Sequence, residues 1–355
     1  MGAVQGTFRL QYFFDAGEEI LLDQVRELLK IEKPGREPGF RQRTPEYVRF
    51  ERPPVEEREA SARLRYFEYG VISVEMEQPF DCSWDELTGL AAKWVGADEP
   101  EAAAEEIVRR QLAKIGAALR KPAAQLLKED YTVIELRKAV GPDGLPLTSS
   151  QLLACHGGAI AQIVRGETTP LSDTERNEVL ASSMCYSPLD ALVVGYAAAL
   201  VYDQQPDGAG PTRQLLEYAN TQLLEFRHYD NLLTRVLNEA YDRFEKQQGP
   251  FHHWRTGREA RKLNALRLEV MELTERTDNA IKFLSDMFYA RAYKLASARI
   301  GVPDYRRLVE DKLRTAGELY RFMMDEYHQG RAFVLELTIV IILIIDLIVL
   351  FFGKP

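Results

Sequence analysis

A chain of 355 residues has room for two domains, and 46% hydrophobic residues are enough for ordinary buried cores. With 54 acidic against 45 basic side chains the net charge is −9, which argues against a general nucleic-acid binder and confines any anion-binding patch to a local segment. Three widely spaced cysteines, Cys82, Cys155 and Cys185, read as reduced core thiols in a cytosol-like compartment rather than a disulfide framework.

At the start, "MGAVQGTFRLQYFF" lacks the basic flank and apolar core of a signal peptide, and Gly6 stands where a myristoylation motif needs Ser or Thr. Within it, Phe8, Leu10, Tyr12 and Phe14 alternate as the inward face of a strand, and Leu21, Val25 and Leu28 then switch to helical spacing. A Pro/Arg-rich loop follows, then the strand patterns "EYVRFER" and "RLRYFEYGVISVEM" with a bend at Gly70. In "SWDEL", Ser83 and Glu86 fit a capping box. A second round opens at "YTVIEL", passes through a helix over 149–166 and ends in "DALVVGYAAALVYD". The expectation is an α+β domain over 1–205, built from two degenerate strand-helix-strand-strand units, each a small antiparallel sheet covered by helices.

The turn formers of "DQQPDGAGP" close that domain. Beyond them the spacing predicts an all-α antiparallel, coiled-coil-like stalk over 212–331. One helix carries Ala219, Leu223, Phe226, Leu233, Val236, Ala240 and Phe244. A second carries Leu266, Val270, Leu273, Thr277, Ala280, Leu284 and Met287 in four-three alternation. Gly301 and Pro303 punctuate the start of a third. These apolar stripes read as packing surfaces, not ligand boxes.

The last element, 332–352, holds seventeen Ile, Leu, Val and Phe residues. At ~1.5 Å per residue it reaches about 30 Å, so a transmembrane helix is expected. Arg321, His328 and Arg331 before it, against Lys354 after it, predict a tail-anchored, single-pass protein with its N-terminal domain in the cytoplasm. Glu336 and Asp346 are the candidate self-association residues. An acid in such a helix either faces a partner chain in a homo-oligomer or is carried protonated.

Catalytic signatures are missing from the sequence. Cys155 and His156 are helix neighbours that do not face each other, His252 and His253 lack zinc-site companions, and no phosphate loop, G-x-S-x-G or H-E-x-x-H occurs. No enzyme activity, cofactor or metal is therefore expected. One segment departs from the acidic average: Trp254, Arg255, Arg258, Arg261, Lys262 and Arg267 form a cationic, aromatic stretch. It reads as a solvated helix start, or as a contact for anionic lipid headgroups or RNA.

"LLEFRHYDNLL" (223–233), "KLNALRLEV" (262–270), "GETTPLSDTERNEVL" (166–180) and the tail "LELTIVIILIID" together resemble the domain of unknown function 155 family, which includes the required-for-meiotic-nuclear-division proteins and their mitochondrial relatives. Glu336 and Asp346 fall where the family's tail carries its two acids. Leu337 and Gly195-Tyr196 stand where the family often has Trp. The resemblance implies a membrane-anchored, oligomer-forming protein without known catalysis, in the inner membrane of bacteria as its relatives are in that of mitochondria, where they support translation by holding ribosomes near the membrane. Two functions follow as expectations: a non-enzymatic membrane scaffold displaying a cytosolic α+β domain, or a membrane-tethered RNA- or ribosome-binding module.

Overall fold

A computed structural model describes residues 3–30, 47–51, 62–123, 125–205, 208–246, 261, 264–268, 270–271 and 287–352. Its contacts divide the chain into two compact units, one of residues 1–228 and 277–305, the other of 229–276 and 306–355.

The first unit is built on one mixed sheet of eight strands in the order β3-β4-β5-β1-β7-β10-β9-β8. In chain order its strands are β1 (Ala3–Asp15), β3 (Tyr47–Glu51), β4 (Ala62–Phe67), β5 (Val71–Ser83), β7 (Lys128–Ala139), β8 (Ser183–Met184), β9 (Asp190–Val194) and β10 (Ala198–Asp203). A small two-stranded sheet pairs β2 (Gly17–Ile20) with β6 (Leu119–Pro122). The helices of this unit are α1 (Leu22–Leu29), α2 (Trp84–Trp94), α3 (Asp98–Ile115), α4 (Ser149–Arg165), α5 (Asp173–Leu180), the first part of α6 (Ala209–Lys246), and α7 (Met287–Ile300). An N-terminal α+β region followed by a helical part is thus what the chain forms.

The expectation of two small antiparallel sheets is corrected. The two rounds of strands fuse into one sheet because β1 and β7, which open the rounds, pair with each other from Val4↔Ala139 to Phe14↔Lys128. The rounds also differ in sense: β1 pairs antiparallel with β5, whereas β7 pairs parallel with β10. A parallel neighbour needs a crossover, and α4 and α5 lie in the connection between β7 and β10.

Local chemistry fixes the element ends. Ser83 and Glu86 make the capping box read from the sequence, and Thr148 with Gln151 makes a second one at α4. The bend at Gly70 is a turn with φ of +95°, and a Cβ there would meet the Gly17 carbonyl oxygen at 1.7 Å, so only glycine fits.

One face of the sheet carries Phe8, Leu10, Tyr12 and Phe14 with Leu64, Val74, Ile134 and Leu200. These join Trp84, Leu87, Val108, Leu152 and Ile160 of the covering helices in the main core. Alternation along β1 assigns this face correctly.

In the second unit the distal part of α6 packs on α8 (Val302–Phe352) through Leu237, Ala316 and Met323. Lys312 Nζ donates to Asp230 and, at 2.6 Å, to Thr234 Oγ1. Leu266 and Val270 are buried on the helical residues between 261 and 271.

The membrane-spanning expectation over 332–352 is overturned: among the described residues no helix is long and apolar enough to cross a membrane. A tail anchor, a single-pass membrane location and a cytoplasmic display inferred from it therefore lack support.

Candidate functional site

The opposite face of the sheet differs in chemistry. Odd-numbered residues of β1 point there, and in place of an apolar stripe they are Thr7, Arg9, Gln11, Phe13 and Asp15, all but Arg9 almost fully buried. Register places like-facing residues beside them. Arg63, Glu75, Gln11 and Tyr131 lie in one cross-strand row, and Glu77, Arg9, Val133 and Ala199 in the next. Opposite charges thus sit directly across strands, the stabilising arrangement for such pairs.

The proximal part of α6 supplies the rest. Arg9 pairs with Glu77 and, at 3.0 Å, with Glu135, while Arg63 reaches Glu75 at 3.2 Å and Glu77 at 2.7 Å. Arg213 reaches Glu75 at 3.3 Å and pairs with Glu135. One helical turn further, Glu217 pairs with Arg65 and accepts from Ser73 Oγ at 2.7 Å. Thr221 bonds the Tyr69 hydroxyl at 2.9 Å, Arg227 pairs with Glu129, and His228 meets Asp15. Gln11 donates to Glu75 at 3.1 Å, but its own Oε1 has no partner among the described residues.

Electrostatics make this network a holding device, not a proton relay. Burial alone would raise the Glu75 pKa, but Arg213, Arg65 and Arg9 reverse that and hold it down at about 2. Burial likewise opposes the charge on Arg213, and Glu75 and Glu135 more than restore it, so its pKa is raised. Neither group exchanges a proton near neutral pH, which a general acid or base must do.

Other chemistry-bearing residues stay apart. Cys155 is exposed, and His156 stacks on Trp84 with ring centroids 4.4 Å apart, its pKa lowered by burial. Burial also pushes the Cys82 and Cys185 thiols up, away from thiolate character. Among the described residues no His, Cys, Asp and Glu group has metal-site geometry.

Of the residues singled out from the sequence, Glu336 and Asp346 are exposed on α8 and ten positions apart, roughly 15 Å along the helix, so one chain does not bring them together. Arg261 and Arg267 are exposed and helical. Trp254, Arg255, Arg258 and Lys262 lie outside the described residues. Sequence reasoning missed the polar face, although charged or amide side chains at every second position in "FRLQ", "RLRYF" and "SVEME" signal it. What those positions do not reveal is which strands become neighbours.

The chain is similar to "Uncharacterized protein MJ0711" of Methanocaldococcus jannaschii, 19% identical over 230 residues that span 65% of this chain and 68% of that protein. No solved structure matches. These comparisons support an uncharacterised family and not the narrower resemblance to the domain of unknown function 155 family. The model of the family described as "Uncharacterized protein MJ0711, N-terminal domain" matches residues 5–208, more than half of the chain, and to that family the chain belongs.

Proposed function

We propose that the protein is a non-enzymatic scaffold that assembles with copies of itself through the apolar end of α8 and offers its α+β unit as a binding module. The observation that carries this reading is the exposure of 334–348: its twelve Val, Leu and Ile side chains are each 45–64% exposed. At about 100° per residue these side chains surround the helix, leaving no apolar-free arc wider than about 60°. A helix apolar all round is a buried helix. Covering the open half of each such side chain gives on the order of 1 kcal/mol, and a second copy is the partner always present at matched concentration. Asp346 then lies in the contact between chains, where a polar residue selects the oligomeric state. Sedimentation of the full chain tests the reading. Multiples of the 40.5 kDa chain mass are expected, with a lower mass for Asp346→Leu and a monomer when Leu335, Ile342 and Ile345 are changed to Ser. A wild-type chain that sediments as a monomer at micromolar concentration refutes it.

A second reading, an RNA- or ribosome-binding module, is supported by the exposed Arg261 and Arg267 and by the resemblance of 223–233 and 262–270 to the domain of unknown function 155 family. It requires RNA affinity that falls steeply with salt and falls again when these arginines become Gln.

A further inference from the structure

The buried apolar positions of α6 on the α+β unit are Leu215, Leu216, Ala219, Leu223, Leu224 and Phe226, and of these Leu215, Ala219 and Leu223 form a row at intervals of four. A slide of the helix by one turn therefore lays this row back on itself, Ala219 moving to the place of Leu215 and Leu223 to that of Ala219, while Asn220 would take the place of Leu216 and Phe226 that of Gln222. Along that row apolar contacts alone define the axial position weakly. The charged positions do not repeat in this way. Arg213 is met by Glu75 and Glu135, whereas Glu217, one turn along, is met by Arg65 and Ser73. Sliding by one turn would set Glu217 against Glu75 and Glu135, bringing three carboxylates together in a buried place, and would leave Arg65 facing Thr221 instead of a carboxylate.

We propose that the change of sign from Arg213 to Glu217, read against the acidic and basic patches of the sheet, is a register lock that selects one axial position of α6. Replacing a buried ion pair by apolar residues is often neutral or stabilising, so net stability does not explain why charges stand here. Selecting one register among several is the best-attested use of such groups. The state the lock excludes is a one-turn ratchet of a helix past the element it packs on, a known mode of switching.

The reciprocal exchange Arg65→Glu with Glu217→Arg keeps an opposite pair in the present register but also lets the guanidinium moved onto α6 satisfy Glu75 and Glu135 after a slide. It removes the lock without removing a charge. Spin labels at Gly210→Cys on α6 and at Asp81→Cys or Lys138→Cys on the sheet, in the full chain with Cys82, Cys155 and Cys185 changed to Ser, report the axial position by electron–electron double resonance. With Arg65 and Glu217 in place one distance is expected for each pair. With the exchange, a second population is expected, displaced by up to about 5 Å, the rise of one turn. Should the exchanged chain fail to fold, Arg65→Met with Glu217→Arg applies the same test, because the guanidinium on α6 then meets Glu75 and Glu135 only after the slide, and the shifted population is again expected. A single unshifted distance in whichever variant folds overturns the proposal.

Discussion

Acid should unfasten the α+β unit through Glu75. Its side chain is only 4% exposed and touches Arg9, Arg63, Arg213 and Gln11, and its pKa is lowered from the ordinary 4.5 to about 2. A carboxyl whose folded pKa is depressed binds protons more readily in the unfolded chain. Its contribution is therefore complete above about pH 4.5 and is lost as the pH falls towards 2. At ~1.36 kcal/mol per unit the full contribution is on the order of 3 kcal/mol, of which about 2 kcal/mol is gone by pH 3. Urea unfolding followed by the emission of Trp84 and Trp94, both on α2 of this unit, measures it between about pH 6 and 3. Glu75→Gln supplies the contrast. Near neutral pH it should cost ~3–5 kcal/mol, because Arg213 and Arg9 lose a buried partner. It should also remove about 2 kcal/mol of the wild-type acid dependence. Equal acid dependence in the two chains would refute the reasoning.

Two further outcomes are expected. Gln111 on α3 is fully buried, and neither amide atom has a partner among the described residues, so Gln111→Leu should raise stability by ~1–3 kcal/mol, the cost of an unmet buried amide; an unchanged or lower urea midpoint would contradict this. At Gly6 a Cβ would stand 2.0 Å from the Glu135 carbonyl oxygen and 2.6 Å from Phe80 Cζ, whereas at Gly89 nothing lies within 4 Å. Gly6→Ala should therefore cost ~3 kcal/mol or more while Gly89→Ala, inside helix α2, is neutral or stabilising by up to ~1 kcal/mol, and thermal melts of the pair decide it.

The sequence discloses the parts of this fold that depend on neighbours in the chain. Period-two alternation assigned Phe8, Leu10, Tyr12 and Phe14 to the core, and the capping box at Ser83 follows from four residues. Helical spacing after residue 210 is equally local. Sheet order is not local. That β1 lies between β5 and β7, and that β7 takes a parallel partner, depends on crossovers of many tens of residues, and no single segment encodes it. How the polar face is assembled is not legible for the same reason. Arg9, Glu75 and Glu135 come from three strands and Arg213 from a helix 78 positions beyond Glu135, and charges at alternate strand positions read as a solvated face until a cover is known. The expected membrane span rested on the composition of 332–352 alone, and among the described residues no helix is long and apolar enough to cross a membrane.

The boundary of the family match sharpens the role of α6. The match ends at residue 208 and α6 begins at Ala209, so every sheet member of the network lies inside the matched domain while Arg213, Glu217, Thr221, Arg227 and His228 lie outside it. The compact unit is larger than the domain, taking in α6 as far as His228 and residues 277–305 as well. Without those pieces the second face would expose Phe13, Phe67, Tyr131, Val133 and Val201, all buried here, around carboxylates that have lost part of their arginine set. A large apolar rim with a half-neutralised charged centre is costly to leave in water. A family member that carries the domain without an equivalent of α6 therefore needs another cover for this face, either from its own chain or from a partner. In this protein the cover is in cis, and its charges are spaced one turn apart to meet acid first and base second.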